Sequence, residues 1–314
     1  MASYLAKRLG ASILTAFLAS ILVFMLVRLV PGDVVAQMMG QAGGAEAEAS
    51  LRAFFGLDQP IYMQYLIWIG NVLQGDLGTS WARGLPVSDM VGKAFMVTLE
   101  IGIVTLVVAT LVGVPLGVIA AIYEGRPLDT IIQGFNLLGL AAPVFWVGLM
   151  LLVGVSSALS WSPPLRFVPP TRSLADNIAI LVLPVASLAL LQAAAYSQFV
   201  RQNVVSAMHQ EYVRTAIAKG VPVRLIFFKH ILRNVLVPIV TFMGLILIQI
   251  LGGVVIIESL FALPGLGRLL LNAIETRDYP VVQGALLLVV VAAMVVNLVV
   301  DLAYRLIDPR LRTA

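Results

Sequence analysis

Hydrophobic and polar positions alternate along this chain in long blocks. Six apolar stretches cover residues 9–30, 94–121, 131–155, 178–200, 235–257 and 281–304. Each approaches or exceeds the roughly 20 residues that a helix needs to cross a hydrocarbon core. The first follows Lys7-Arg8 and is too long for the apolar part of a secretory signal, so the turn Pro31-Gly32-Asp33 predicts an uncleaved span. Arg28, near its far end, is expected to snorkel to the interface. Residues 31–93 form the longest polar region, with Gln41 to Ser50 expected to be mobile and Leu51 to Gln74 an amphipathic helix. Tyr62, Tyr65 and Trp68 in that helix suit a membrane interface. Pro143 predicts a kink in the third span and Pro184 lies within the fourth. Glu258 to Pro280 reads as a turn at Leu263-Pro264-Gly265, a short helix from Arg268 to Ile274 and a second turn at Asp278-Tyr279-Pro280. Gly102, Gly113 and Gly117 are expected to let helices approach closely, and Gly252-Gly253 to do the same or provide a flexible point. The expected fold is an all-α integral membrane protein of one domain, residues 1–314, with six transmembrane helices.

The seventh block, residues 201–234, is the polar interruption of the second half. It carries Arg201, Arg214, Lys219, Arg224, Lys229 and Arg233, six of the twenty basic residues. Val213, Ala216 and Ile217 recur at helical spacing, and Ile226, Phe227, His230 and Ile231 do so again, which predicts two short amphipathic helices. Gly220 stands between them, where a left-handed cap is easiest without a β-carbon, and Pro222 suits the first turn of the second helix. The expected object is a basic helix, elbow and helix at a membrane surface, shaped to dock.

Composition narrows the chemistry. Hydrophobic residues make up 60% of the chain and charged residues 11%, with a mean hydropathy of +1.00; soluble proteins carry about 25% charged residues. There is no Cys, and the two His form no His-Glu-x-x-His pair, so neither a thiolate site nor a zinc enzyme is expected. None of the four Lys lies in a Gly-x4-Gly-Lys-Ser/Thr loop, so if ATP drives the protein, another subunit binds it. The formal charge is only +4, and its distribution matters more. Six spans place both termini on one side. Assigning that side to the cytoplasm puts Lys7, Arg8, Arg126, Arg305, Arg310, Arg312 and the six cations of 201–233 there, twelve of twenty, as the positive-inside rule requires.

The basic segment resembles the cytoplasmic EAA loop of ABC-importer permeases, and specifically the dipeptide/oligopeptide/nickel branch. Arg214-Thr215-Ala216 stand where the general pattern has Glu-Ala-Ala, with Gly220 at the right spacing. Tyr212, Lys219, His230, Leu232, Arg233, Asn234 and Pro238 match the peptide-branch form, whereas Ile217 stands where an Arg is more usual. VPGD from Val30, GDLGTS at Gly75 to Ser80, APVFWVGL at Ala142 to Leu149 and the stretch from Gly252 to Gly284 extend the likeness nearly end to end. The resemblance implies a type I importer architecture in a bacterial inner membrane, multi-pass, with 31–93 external. It implies a homologous second permease, two ATP-binding subunits that hold ATP and Mg, and an external substrate-binding protein. Nucleic acid is not an expected partner. It also implies ATPase coupling through Tyr212, Arg214, Thr215, Ala216, Lys219, Gly220, Arg224, His230 and Arg233. Glu258, Pro264, Gly265, Arg268, Asp278 and Tyr279 fall in the stretch it assigns to an outer gate and binding-protein contact.

Two polar groups inside spans complete the candidates. Glu100, about two turns into the second span, either lines the pathway or pairs near the outer interface; Gln249 in the fifth either lines it or bridges packed helices. The expected activity is import of di- or oligopeptides, with nickel chelates, glutathione or another small solute as alternatives. A secondary transporter would need inverted repeats, and none is evident. An intramembrane enzyme would need nucleophile, base or metal ligands within the spans, and both His lie in the cytoplasmic segment.

Overall fold

The computed structural model describes residues 2–29, 44–54 and 57–307. Among the described residues the regular elements are helices, with one isolated bridge between Thr79 and Pro86. In chain order they are α1 (Ala2–Leu29), α2 (Ala45–Phe54), α3 (Ile61–Leu73), α4 (Val87–Ile122), α5 (Pro127–Ala141), α6 (Val144–Leu159), α7 (Leu174–Met208), α8 (Glu211–Ala218), α9 (Val223–Ile226), α10 (Leu232–Gly253), α11 (Val255–Leu260), α12 (Leu266–Glu275) and α13 (Tyr279–Ile307). Five are long and apolar enough to cross a membrane, and the bent pair α5–α6 makes a sixth if it counts as one crossing. The chain forms two compact units, Met1–Phe95 with Arg268–Met294 and Met96–Gly267 with Val295–Ala314.

In the first unit α3 packs on the end of α1 through aromatic rings. Phe24, with no exposed surface, meets Tyr65 edge-on at 5.3 Å and Trp68 at 5.6 Å. Arg28, expected to snorkel, finds partners within the first unit. Its guanidinium lies 3.8 Å over the Phe24 ring and donates from Nε and Nη2 to Gln64 Oε1 at 3.0 and 2.6 Å, because a half-buried cation satisfies itself with a ring face and an amide oxygen when both lie within reach. The segment expected to be mobile is helical from Ala45, while Gln41 to Gly43 and the turn Pro31-Gly32-Asp33 lie outside the described residues. Helix α4 begins at Val87, earlier than hydropathy placed it, because Pro86 suits a helix start and Val87 and Val91 are buried.

The second unit is built on α7. Ser173 caps it, accepting from the Asp176 N–H, and Pro184 lies inside without breaking it. Helix α4 approaches α7 at glycines: a Cβ on Gly113 would sit 2.5 Å from Tyr196 Cβ, and one on Gly117 2.5 Å from the Ser197 carbonyl oxygen. Gly102 is different: a Cβ there would make only an ordinary contact, 3.5 Å from Leu247 Cδ1. The expected kink at Pro143 is a full break. Ala142 takes φ −76° and ψ 126°, the extended conformation that proline imposes on its predecessor, and α5 and α6 meet at 101°. Phe135, Leu138, Trp146 and Met150 line an apolar cleft of about 300 Å³ at this elbow.

The fifth span also departs from expectation. The second short amphipathic helix is continuous with it: α9 passes through a π-helical turn, Phe227–Ile231, into α10. Ile226 and Ile231 are five residues apart and both buried, as are Val235 and Ile239. In an α-helix a five-residue step turns about 140° off the face; one i→i+5 turn brings the two isoleucines to the same side. At its other end α10 stops at Gly253, and Val254 separates it from α11.

Candidate functional site

Helix α8 is the most exposed ordered element of the second unit. Among its eight residues Val213 alone is buried, 4% exposed, in an apolar cluster with Val200 and Val204 of α7, Ile226 and Ile231. Ile217, expected on the same face, is 55% exposed, because the helix ends before a second apolar row can form. Ala216 and Val221 flank the cluster.

The turn after α8 is fully determined. Gly220 has φ +72°, its N–H donates to the Ile217 carbonyl at 2.9 Å, and the Val221 N–H donates to the Ala216 carbonyl at 3.1 Å. These two bonds form a Schellman cap, and Ala216 and Val221 on either side of it both pack against the apolar cluster. Pro222 follows directly, its carbonyl accepting from Leu225 and Ile226 and so opening α9. Two further bonds stiffen the arrangement: Thr215 Oγ1 donates to the Glu211 carbonyl at 2.9 Å, and Asn234 Nδ2 to Tyr212 Oη at 3.2 Å.

Around this elbow Arg214, Lys219, Arg224, Lys229, His230 and Arg233 are all exposed. Arg214 contacts Glu211 at 3.2 Å, but both side chains are largely in solvent, so the pair adds little. The structure therefore presents an ordered backbone with a cationic surface, tied by one buried residue into a cluster shared with α7, α9 and the π-helical turn. Arg201, grouped with these cations by sequence, belongs elsewhere. It lies within α7, and its Nε and Nη2 donate to Asp129 Oδ1 and Oδ2, both at 2.7 Å.

The outer candidates divide into two places. Glu258, expected in the outer-gate stretch, lies in α11 with no exposed surface. Thr98 Oγ1 donates to Glu258 Oε1 at 2.5 Å and accepts the Leu266 N–H at 2.8 Å. Gly265 is packed against the carboxylate: a Cβ there would lie 2.1 Å from Glu258 Cδ. Pro264 beside it is exposed. In the first unit Asp278 is buried and receives the Ser80 hydroxyl and the N–H groups of Trp81 and Ala82, the latter two at 3.0 and 3.4 Å. Tyr279 packs its ring on Trp81 at 5.5 Å, and Arg268 is half-buried in α12. The second expected turn is a helix start: the Asp278 carbonyl accepts from Val282, and Tyr279 and Pro280 begin α13, where proline has no amide bond to lose.

Within the spans, Glu100 is half-buried beside the Asn177 side chain near the start of α7, and Gln249 is exposed on α10. The sequence did not single out Asp129 or Thr98, and it placed Arg201 with the docking cations rather than with Asp129. Only Asp129, an acid in the first turn after Pro127, carried a legible signal.

Comparison with known proteins gives a consistent result. The family described as "Binding-protein-dependent transport system inner membrane component" matches residues 113–313, and the corresponding N-terminal family matches residues 1–102. The chain is 38% identical over 312 residues to the glutathione transport system permease protein GsiC of Escherichia coli (strain K12), covering 99% of each. It is 36% identical over 336 residues to the dipeptide transport system permease protein DppB of the same strain, again covering 99% of each. Among solved structures, it matches an amino acid ABC transporter with a TM-score of 0.55 at 15% identity, covering 69% of this chain and 94% of that one. The MetNI methionine ABC transporter matches with a TM-score of 0.54 at 16% identity, covering 70% and 96%.

Proposed function

Because this chain belongs to the inner-membrane components of binding-protein-dependent transport systems, we propose that α8 and the Gly220 turn seat it on ATP-hydrolysing partner subunits, and that it imports short peptides, glutathione included. The observation that carries the docking reading is the elbow itself. A closing ATPase needs a rigid handle on the membrane subunit. An eight-residue helix with a Schellman cap, exposed cations and one anchor in the apolar cluster it shares with α7 supplies one. Tyr212, Arg214, Thr215, Lys219, Arg224, His230 and Arg233 form its surface, and ATP and Mg are held by the partners. The substrate reading rests on the two relatives, one named for glutathione and one for dipeptides, which share the chemistry of short peptides.

In this reading α1, α4, the α5–α6 pair, α7, α9–α10 and α13 are six crossings of a single permease. Both termini lie in the cytoplasm, and a second permease and an external binding protein complete the importer. Glu100 lies about 33 Å along α4 from Ile122 at 1.5 Å per residue, which sets it near the outer edge of a core about 30 Å thick. Beside Asn177 near a helix start, it acts there as an anchor. Pro264, exposed in its turn, faces the binding protein.

The test is Gly220→Leu and Arg214→Glu in the complex reconstituted with its ATPase and binding protein. A side chain at φ +72° costs about 1 kcal/mol locally, and no neighbouring atom lies within 4 Å of the new Cβ, so insertion and folding are expected to persist. Uptake of labelled glutathione and dialanine should fall, together with ATPase stimulation by loaded binding protein. Normal uptake with normal stimulation in both variants would overturn the docking role.

A further inference from the structure

Helix α7 carries two different contacts at its α8 end. Val200 and Val204 share a buried apolar cluster with Val213 of α8. Arg201, one residue along and about 100° around the helix, reaches instead to α5 and grips Asp129 with two bonds of 2.7 Å. The grip is buried at its acid end, where the Asp129 side chain is 6% exposed against 22% for Arg201. Asp129 does a second thing. Its Oδ2 accepts the Gly125 N–H at 3.1 Å, so the same carboxylate holds the turn between α4 and α5, where Gly125 has φ +73°.

Further along, α5 stays in register with α7. Asn136 Nδ2 donates to Ser197 Oγ at 2.9 Å, and a Cβ on Gly139 would meet Ala194 Cβ at 3.0 Å. The contacts 129 with 201, 136 with 197 and 139 with 194 run in opposite directions along the two helices, so α5 lies antiparallel on α7 for its whole length. It then ends at Ala142, where the chain turns through 101° into α6. Thus α5 is pinned to α7 at one end and meets a break at the other.

We propose that the Arg201–Asp129 pair is the joint that carries motion of the docking helix from α7 into α5 and so to the α5–α6 break; the proposal rests on the docking reading of α8. The physical argument is one of register. Apolar helix faces shear past each other in small steps without losing contact. A bidentate guanidinium–carboxylate pair has fixed geometry and does not slide. Displacement of the α8 end of α7 therefore moves α5 with it, and the displacement appears where α5 is not continued, at Ala142-Pro143. Arg201 and Asp129 touch no substrate in this scheme and are positioning residues.

The test uses the assembled transporter in proteoliposomes. Variants are Arg201→Lys, which keeps the charge and loses the fork, Asp129→Asn, and the double Cys variant at 129 and 201 in this otherwise Cys-free chain. Three quantities are read: basal ATPase activity, ATPase activity with loaded binding protein, and labelled glutathione or dialanine imported per ATP hydrolysed. The expected result for Arg201→Lys and Asp129→Asn is normal assembly and basal hydrolysis. Import per ATP should fall on the order of fivefold to tenfold, the scale of a typical coupling between sites. Bridging the two cysteines with a bifunctional thiol reagent should restore most of it.

Import per ATP at the wild-type value in both single variants would overturn the proposal. So would loss of the assembled complex in both, since the pair would then be a folding contact, and so would a bridged double variant that stays uncoupled. Arg214→Glu, measured alongside, separates the two readings. If it and Gly220→Leu both transport and stimulate normally, the docking role fails; if they are impaired while Arg201→Lys and Asp129→Asn are not, the joint alone fails.

Discussion

Gly265 shows how much one absent side chain can decide. Its α-hydrogen faces a glutamate with no exposed surface, and a methyl group there would lie 2.1 Å from the carboxyl carbon. Backbone and carboxylate cannot both yield, since Glu258 is held by Thr98, which is held in turn by the Leu266 N–H. Gly265→Ala is therefore expected to destabilise the subunit by about 1–3 kcal/mol, the usual cost of overpacking. Gly220→Ala, with open space around it, should keep the wild-type melting temperature to within a few degrees in detergent. Equal melting temperatures for Gly265→Ala and the wild type would mean the carboxylate has room to move. The sequence showed Leu-Pro-Gly as a turn but gave no hint that Glu258 is buried. A glutamate reads as exposed because burying it is costly without partners, and Thr98, which donates to it, lies 160 residues earlier. Pairings at that separation leave no periodic trace. Gly113 and Gly117 were legible for the opposite reason, being small residues on a long apolar helix that must pack against something.

Helices were legible wherever hydropathy had one period and one breaker. Gly220 followed by Pro222 is such a case, and the elbow lies where the two residues place it. Prolines were less informative. Pro115, Pro184 and Pro238 lie inside helices, whereas Pro143 ends one. What separates them is the packing that surrounds each turn, which no window of sequence contains. The π-helical turn was partly written in the chain, since Ile226 and Ile231 are spaced for neither an α-helix nor a strand. It amounts to one extra residue in an otherwise regular helix. Deleting Phe228, 59% exposed, should convert it to an α-helical turn and leave Ile226, Ile231 and Val235 on one buried face. Deleting Leu236, 40% exposed in α10, should instead rotate Ile239 and all that follows by about 100°. Yield of folded, membrane-inserted subunit distinguishes the two: near wild type for the first, strongly reduced for the second. Equal yields would mean that the extra residue is not absorbed at the turn.

At the scale of the molecule, composition alone indicated a membrane protein, and the family comparison agrees. The two compact units were invisible to hydropathy because their boundaries, after residues 95, 267 and 294, fall within α4, α12 and α13. The six-crossing arrangement makes a direct prediction. Single cysteines at Ala49 and Ala218, both exposed, should react with a membrane-impermeant thiol reagent from opposite sides in right-side-out and inverted vesicles. Reaction of both from the same side would rule the arrangement out. If the bent pair is one crossing, it adds a constraint of its own. Helices α5 and α6, of 15 and 16 residues, are each about 23–24 Å long, too short alone for a core about 30 Å thick. Joined at 101°, they reach about 30 Å end to end, and the corner projects about 18 Å sideways. The pair therefore matches an ordinary bilayer only while it stays bent. Straightening lengthens it beyond the lipid, and further folding leaves it short, so the thickness of the surrounding membrane becomes a spring that acts on the angle.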